Sequence, residues 1–307
     1  MQRLSLDQPI PADLRGAILA LGNFDGFHLG HQAVIGRAVA RGAHERRPVI
    51  VATFDPHPVR HFRPDAAPFR LTSLDQRQRM FAAAGADAML VCRFDAALAA
   101  TSAEDFVGDL LARHLGAVGV VTGVDFTFGA RRGGNPAVLR RVGAAHGIIA
   151  ETVAPVALDG APVSSSRARD ALVAGDPGGA IHLLTRPFAV QGVVEPGARL
   201  GRELGWPTAN LTLGSYLRPA YGIYAVRVRL DDGSEYPGVA NLGIRPSIEP
   251  PLELLEAHLF DFTGDLYGRT IEVGLVDYLR PEAKFDSMAA LKVQMDADAA
   301  EARRRQA

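Results

Sequence analysis

The sequence predicts an α/β domain built on a parallel sheet, followed by a small antiparallel β-barrel domain with a C-terminal helix. Three observations carry this. Up to about Leu184, apolar strand-like runs alternate with helix-like segments, the pattern of a parallel sheet covered on both faces. Beyond that point the runs shorten, alternate with period two and are separated by turn residues, as in an antiparallel sheet or barrel. The tail, Ser287 to Arg304, sets Met288, Leu291 and Met295 on one side of a helix. A chain of 307 residues has room for two ordinary domains, and the change of texture places them at 1–184 and 185–307.

In chain order, strands are expected at Ala17–Leu21, Val49–Phe54, Ala88–Phe94, Val118–Val124 and Ile148–Val156. The first helix, His31–Arg46, lines up Val34, Ile35, Ala38 and Val39. Ser73 with Gln76, and Thr101 with Glu104, have the spacing of capping boxes that open the next two, Ser73–Ala84 and Thr101–Leu115. Two short helices follow at Arg167–Ala174 and Pro177–Leu184, with Asp176 as N-cap and Pro177 as first residue of the second. In the second half, Gly222–Leu230 alternates and ends at the turn Asp231-Asp232-Gly233. Tyr236–Leu242, Leu254–Phe260 and Thr270–Leu279 read as further strands.

The bulk composition narrows the function. Hydrophobic residues make up 48% and charged residues 22%, a globular balance, and the net charge of −1 offers no broad basic surface for nucleic acid or an anionic membrane. Cys92 is the single cysteine, so neither a disulfide framework nor a cysteine zinc site can form, which favours a reducing cytoplasm. No signal-peptide core or bilayer-length apolar run is present.

The densest motif is Gly22-Asn23-Phe24-Asp25-Gly26-Phe27-His28-Leu29-Gly30-His31. A strand, a glycine-rich turn and a helix start in succession suit a phosphate. Gly30 lets a nucleotide approach the backbone. Two histidines there suit the charge that develops at an α-phosphate during nucleotidyl transfer. Ser164-Ser165-Ser166-Arg167 offers three hydroxyls and a guanidinium at another helix start. The serines alone read as a plain cap, and Arg167 and Arg169, cations opposing the helix dipole, tip the reading to an anionic ligand. Asp125-Phe126-Thr127-Phe128 brings two rings to one side of an extended chain, for a planar ligand or for the core. Phe54-Asp55-Pro56-His57 carries the same ambiguity. Gly201, Arg202 and Gly205 form a basic, glycine-rich flap ahead of Trp206-Pro207-Thr208-Ala209-Asn210. Thr208 and Asn210 present two neutral oxygens that suit Mg²⁺ completed by nucleotide phosphates, or an ordinary turn. Glu256 alternates with Leu255 and Ala257, so it faces solvent or acts as a general base.

Taken together, the chain resembles the bifunctional riboflavin kinase/FAD synthetases of prokaryotic type, from about Ala17 to Arg303. The first half resembles the FMN adenylyltransferase module, with its nucleotidyltransferase-type, Rossmann-like fold. It does so through the Gly22–His31 motif, Phe54-x-Pro56-His57-Pro58, Asp125-Phe126-x-Phe128-Gly129 and Ser164–Arg167. The second resembles the riboflavin kinase barrel through Gly201-Arg202-x-Leu204-Gly205-Trp206-Pro207-Thr208-Ala209-Asn210, Gly238-Val239-Ala240-Asn241, Arg245-Pro246, Glu256-x-His258, Leu266-Tyr267-Gly268, Arg280-Pro281-Glu282 and Phe285-Asp286. Pro162, Thr185, Ser166, Ala168, Trp206 and Ser247 depart from the usual family residues.

The resemblance implies two reactions: riboflavin plus ATP to FMN, then FMN plus ATP to FAD and pyrophosphate. It assigns ATP and phosphate contacts of the adenylyltransferase to Gly22, Asn23, Phe24, Asp25, Gly30 and Ser164–Arg167, around His28 and His31. Its flavin contacts fall on Phe54, His57, Asp125, Phe126 and Phe128. In the kinase it assigns ATP to Gly201, Arg202, Gly205 and Pro207, flavin to Arg280 and Phe285, Mg²⁺ to Thr208 and Asn210, and the base to Glu256. The ligands implied are riboflavin, FMN, FAD, ATP, ADP and pyrophosphate with Mg²⁺. No tightly bound redox cofactor and no nucleic-acid or membrane partner is expected, and homo-oligomerisation stays open. Two other readings stand beside this one: a chain with a single live activity, on riboflavin or on another phosphorylated substrate, and a non-enzymatic flavin-binding regulator.

Overall fold

Six parallel strands form the first sheet, in the order β1-β4-β3-β2-β5-β6. They are β1 (Gln2–Ser5), β2 (Ile18–Leu21), β3 (Val49–Asp55), β4 (Ala88–Arg93), β5 (Gly119–Gly123) and β6 (Ile149–Val153). The structure is a computed structural model and describes residues 1–196, 205–245 and 252–306. All four residues of β2 are buried, as an apolar run covered on both faces requires. Leu19 and Leu21 join Ile50, Leu90 and Leu111 in one core, and Ile18 and Ala20 join Val34, Ile35, Val51 and Phe81 in the other. β1 escapes sequence reading because its four residues carry one buried side chain, Leu4.

Between the strands lie α1 (Leu29–Glu45), α2 (Pro58–Phe62), α3 (Leu74–Ala83), α4 (Ala96–Ala100), α5 (Ala103–Asp105) and α6 (Pro136–Ala145). The capping box expected at Thr101 sits one residue later. Thr101 ends α4, donating its hydroxyl to Ala97 O, while Ser102 and Asp105 cap α5. The chain then continues as a π-helix over Phe106–His114. Ser73 donates its hydroxyl to Gln191 Oε1 at 2.7 Å.

The second sheet is antiparallel, ordered β10-β13-β12-β11-β14-β9. Its strands are β9 (Phe188–Val193), β10 (Ala209–Thr212), β11 (Gly222–Arg229), β12 (Glu235–Arg245), β13 (Leu252–Leu259) and β14 (Thr270–Arg280). An antiparallel bridge between Glu195 and Asn210 joins its two edges, so the six strands form a nearly closed barrel. Tyr224, Val226, Leu211, Leu255, Ala257, Val273 and Leu275 are buried. The last helix, here α9 (Met288–Gln306), lays Ala299 and Ala302 on Ala225 and Phe260. A two-stranded ribbon, β7 (Ala157–Leu158) with β8 (Ala161–Pro162), and the helices α7 (Ser165–Val173) and α8 (Pro177–Leu184) complete the chain. Asp176 caps α8 by accepting from Gly179 N at 2.8 Å.

Compactness divides the chain into Met1–Ala66 with Leu74–Val163, and Ala67–Ser73 with Ser164–Ala307. Thus α7, α8 and a short piece of the first half group with the barrel. In that piece Arg70 bridges to Tyr216, and Phe69 O accepts from Arg169 Nε at 2.8 Å. α8 packs on β14 and β9.

Candidate functional site

In the first unit the turn after β2 is built from inside. Phe24 and Phe27 adopt positive φ of 51° and 44°, and Gly26 of 83°. Phe24 is 1% exposed, and its ring meets Phe81 at 5.8 Å and the edge of His31 at 5.3 Å. A Cβ at Gly22 would lie 3.0 Å from that ring. Phe24 therefore supports His31 from the core side rather than presenting its own ring to a ligand. Asp25, 2% exposed, accepts from Arg77 Nη2 at 3.0 Å. Arg77 also donates to Thr53 Oγ1 at 3.2 Å, and Thr53 donates to Asn23 O at 2.7 Å. A buried guanidinium thus ties β3, α3 and the turn together.

His28 is the N-cap of α1. Its Nδ1 accepts from Gly30 N at 3.1 Å and His31 N at 3.3 Å, so the ring hydrogen sits on Nε2 when the imidazole is neutral. The two imidazoles stack, centroids 3.7 Å apart and 20° from parallel. The backbone N–H groups expected to face a phosphate, those of Gly30 and His31, are bonded to His28 itself. Gly30 is needed for this packing, since a Cβ there would lie 3.1 Å from the His28 ring.

The aromatic candidates divide between core and surface. Phe54 and Phe128 are buried, Phe54 beside Phe94 and Phe128 beside Phe106. Phe126 and Phe128 stack at 5.8 Å and 18°, as expected of rings two apart in extended chain, while Asp125 is exposed. His57 caps α2 by accepting from Val59 N at 3.2 Å. In the second unit, Ser164 caps α7 through Arg167 N at 3.2 Å, Ser165 and Arg167 are half-buried, and Ser166 is exposed.

The barrel assembles a second cluster by strand register. Asn210 of β10 pairs with Glu256 of β13, and Glu256 pairs with Asn241 of β12, so the three share one face. Asn210 is 4% exposed, and Glu256 and Asn241 are half-buried. Asn241 Oδ1 is buried and has no hydrogen-bond partner among the described residues. Thr208 lies just ahead of β10, preceded by Pro207 and by Gly205 at φ 82°. His258, next along this face of β13, bonds through Nδ1 to Pro207 O at 2.8 Å and meets the Trp206 ring at 4.6 Å. Burial holds the His258 pKa below its ordinary value. No group of three His, Cys, Asp or Glu suited to a metal occurs among the described residues. The oxygens of Thr208 and Asn210 fit a hard cation that takes its remaining ligands from phosphate and water.

Two assignments meet a different situation. Arg280, expected at flavin, makes a two-pronged ion pair with Asp298 of α9 at 2.8 and 2.6 Å, and its guanidinium lies 5.9 Å from the Phe285 ring centroid. Gly201 and Arg202 lie outside the described residues, as does Ser247. Sequence reasoning gave no role to Arg77, Asn241 or His258. The signal for Arg77 was its position four residues before Phe81, on the buried side of α3.

Comparison with known proteins adds the following. The family model for FAD synthetase matches residues 10–167, and that for riboflavin kinase matches residues 184–306. A bifunctional riboflavin kinase/FMN adenylyltransferase of Escherichia coli K12 is 40% identical over 95% of this chain and 93% of its own length. Proteins of the same description from Pseudomonas fluorescens and Haemophilus influenzae are 41% and 39% identical over 94% and 93% of the chain. They cover 93% and 92% of those proteins. A crystal structure titled as a macrolide-efflux protein from Streptococcus pneumoniae superposes with a TM-score of 0.84 at 28% identity, covering 97% of both chains.

Proposed function

The chain belongs to the bifunctional riboflavin kinase/FMN adenylyltransferase family, and on that premise we propose how its residues divide the work. The activity is flavin-cofactor biosynthesis: ATP phosphorylates riboflavin to FMN, and a second ATP adenylylates FMN to FAD with release of pyrophosphate. The kinase chemistry is assigned to the region from about Leu184 onward, and adenylyl transfer to what precedes it.

In the kinase, the terminal ribityl hydroxyl is a poor nucleophile at neutral pH. Glu256 takes its proton as the oxygen bonds to the γ-phosphorus and ADP leaves. Thr208 and Asn210 would hold Mg²⁺, which would neutralise phosphate charge when bound. ATP binding is assigned to Gly201, Arg202, Gly205 and Pro207, and Phe285 borders the flavin. Arg280 contributes by anchoring α9 through Asp298. The observation that carries this reading is the cross-strand row Asn210–Glu256–Asn241, which puts a carboxylate beside a buried amide on one face of the barrel.

Adenylyl transfer needs no strong base, because the FMN phosphate is already anionic. Its oxygen bonds to the α-phosphorus and pyrophosphate departs. His28 and His31 stabilise charge there. Ser164, Ser165, Ser166 and Arg167 hold phosphate oxygens, and Asp125, Phe126 and His57 border the flavin. Asn23 and Asp25 act through the turn they brace. One buried cysteine supports a reducing, cytoplasmic setting, and no described helix is long and apolar enough to cross a membrane. Chromatography of flavins formed from riboflavin, ATP and Mg²⁺ tests the assignment: FMN followed by FAD is expected, and EDTA should abolish both.

A further inference from the structure

We propose that His258 is a positioning residue of the kinase half, whose Nδ1–H holds the Pro207 carbonyl and so fixes the Thr208–Asn210 segment beside Glu256. The inference rests on the roles just given to Thr208, Asn210 and Glu256. The ladder of β10 begins at Ala209, so Trp206, Pro207 and Thr208 lie ahead of it. Pro207 has no N–H to offer a neighbouring strand. Gly205, just before, is exposed and has a backbone conformation that few other residues adopt.

Among the described residues, side chains of β13 and α9 hydrogen-bond to this stretch. His258 Nδ1 lies 2.8 Å from Pro207 O, and because a carbonyl only accepts, that nitrogen carries the hydrogen. The His258 ring also packs edge-on against Trp206, at 4.6 Å and 64°. Trp206 in turn donates from Nε1 to Asp296 of α9 at 3.2 Å. His258 stands two residues after Glu256, so both side chains leave the same face of β13. One strand therefore carries the base and also the tether of the segment that holds the metal. A Pro207 carbonyl that is no longer held lets the Thr208 oxygen move, which weakens the metal-dependent hold on the nucleotide phosphates.

The test uses the full chain and three variants: His258→Phe, which keeps a ring against Trp206 but has no donor, His258→Asn, whose amide nitrogen can take the place of Nδ1, and Thr208→Ala. Trp206 is the only tryptophan, so its fluorescence reads nucleotide binding in the kinase half alone. ADP is titrated with Mg²⁺ and again with EDTA. His258→Phe should weaken MgADP binding about tenfold, the worth of roughly one hydrogen bond, and leave binding in EDTA nearly unchanged. KM for MgATP should rise in parallel, with kcat for FMN formation within about threefold of the parent, a difference of under 1 kcal/mol. His258→Asn should recover most of the loss. FAD formation from supplied FMN should stay at the parental rate, and parental ADP binding in EDTA should show that the barrel is folded.

Parental MgADP binding by His258→Phe while Thr208→Ala weakens it would overturn the positioning role alone. Equal weakening with Mg²⁺ and with EDTA, or no recovery by His258→Asn, overturns it too. Parental MgADP binding by Thr208→Ala would instead overturn the metal assignment, and the proposal with it.

Discussion

Deleting His28 removes a helix cap together with an imidazole. Its Nδ1 accepts two backbone N–H groups of α1, so His28→Ala should cost about 1 kcal/mol of stability as a lost cap. His28→Asn keeps a capping oxygen. Both variants should lose FAD formation from FMN by about a hundredfold or more, the usual scale for a transition-state donor, while FMN formation from riboflavin persists. Only the alanine variant should melt at lower temperature. Parental FAD formation by His28→Asn would show that capping is all His28 supplies. Glu256→Gln preserves shape and hydrogen bonding but not basicity. FMN production should fall roughly a hundredfold or more with nucleotide and riboflavin still bound, and FAD formation from FMN should be untouched. Near-parental FMN production would assign the proton to another group. Cys92 is 2% exposed and burial pushes its thiol pKa up to about 12, so it should resist alkylation until the chain unfolds.

At the scale of elements, the turn between β2 and α1 depends on a side chain from another element. Arg77 of α3 is 1% exposed and pairs with Asp25, itself 2% exposed. Arg77→Met takes this guanidinium away from a buried carboxylate and should cost up to roughly 3–5 kcal/mol. Adding Asp25→Leu should recover part of the loss. Urea unfolding of the single and double variants measures both, and equal stability of Arg77→Met and the parent would show that the pair contributes nothing. The glycines and histidines of the turn were legible because their types and spacing recur at phosphate sites. The buttress was not, because an arginine inside a helix reads as surface until the helix is docked. A similar limit moved the cap from Thr101 to Ser102: two adjacent hydroxyl residues offer the same chemistry, and only the end of α4 decides between them.

At the scale of the whole molecule, the compact unit that contains the barrel begins at Ser164 and also takes in Ala67–Ser73. The texture of the sequence changes twenty residues later, near Leu184, where hydrophobic periodicity switches from helical to alternating. A fragment from Ser164 keeps α8, whose Pro177, Ala180, Leu183 and Leu184 are buried, and keeps the bond from Ala220 N to Leu172 O at 3.0 Å. It should melt higher than a fragment from Leu184, which exposes apolar surface worth roughly 1.5–3 kcal/mol for each large side chain uncovered. Both are expected to phosphorylate riboflavin. A folded but inactive longer fragment would show that the kinase requires groups from the first half.

The sequence by itself determined the two fold classes, most strands and the helix cap at Asp176, offered Ser164 as a cap, and singled out the candidate residues for both reactions. Those signals are local: period, turn residues and residue types at fixed spacing. Only the tertiary structure decided which of these residues meet. The register that sets Glu256 between Asn210 and Asn241 depends on how β10, β12 and β13 pair, and strands far apart in sequence carry no mark of their register. Placing Phe24 in the core, Arg280 against Asp298, and His258 on the Pro207 carbonyl likewise required long-range packing. Short or polar strands such as β1 and β10 form because a neighbour offers an edge, not because their own residues demand it.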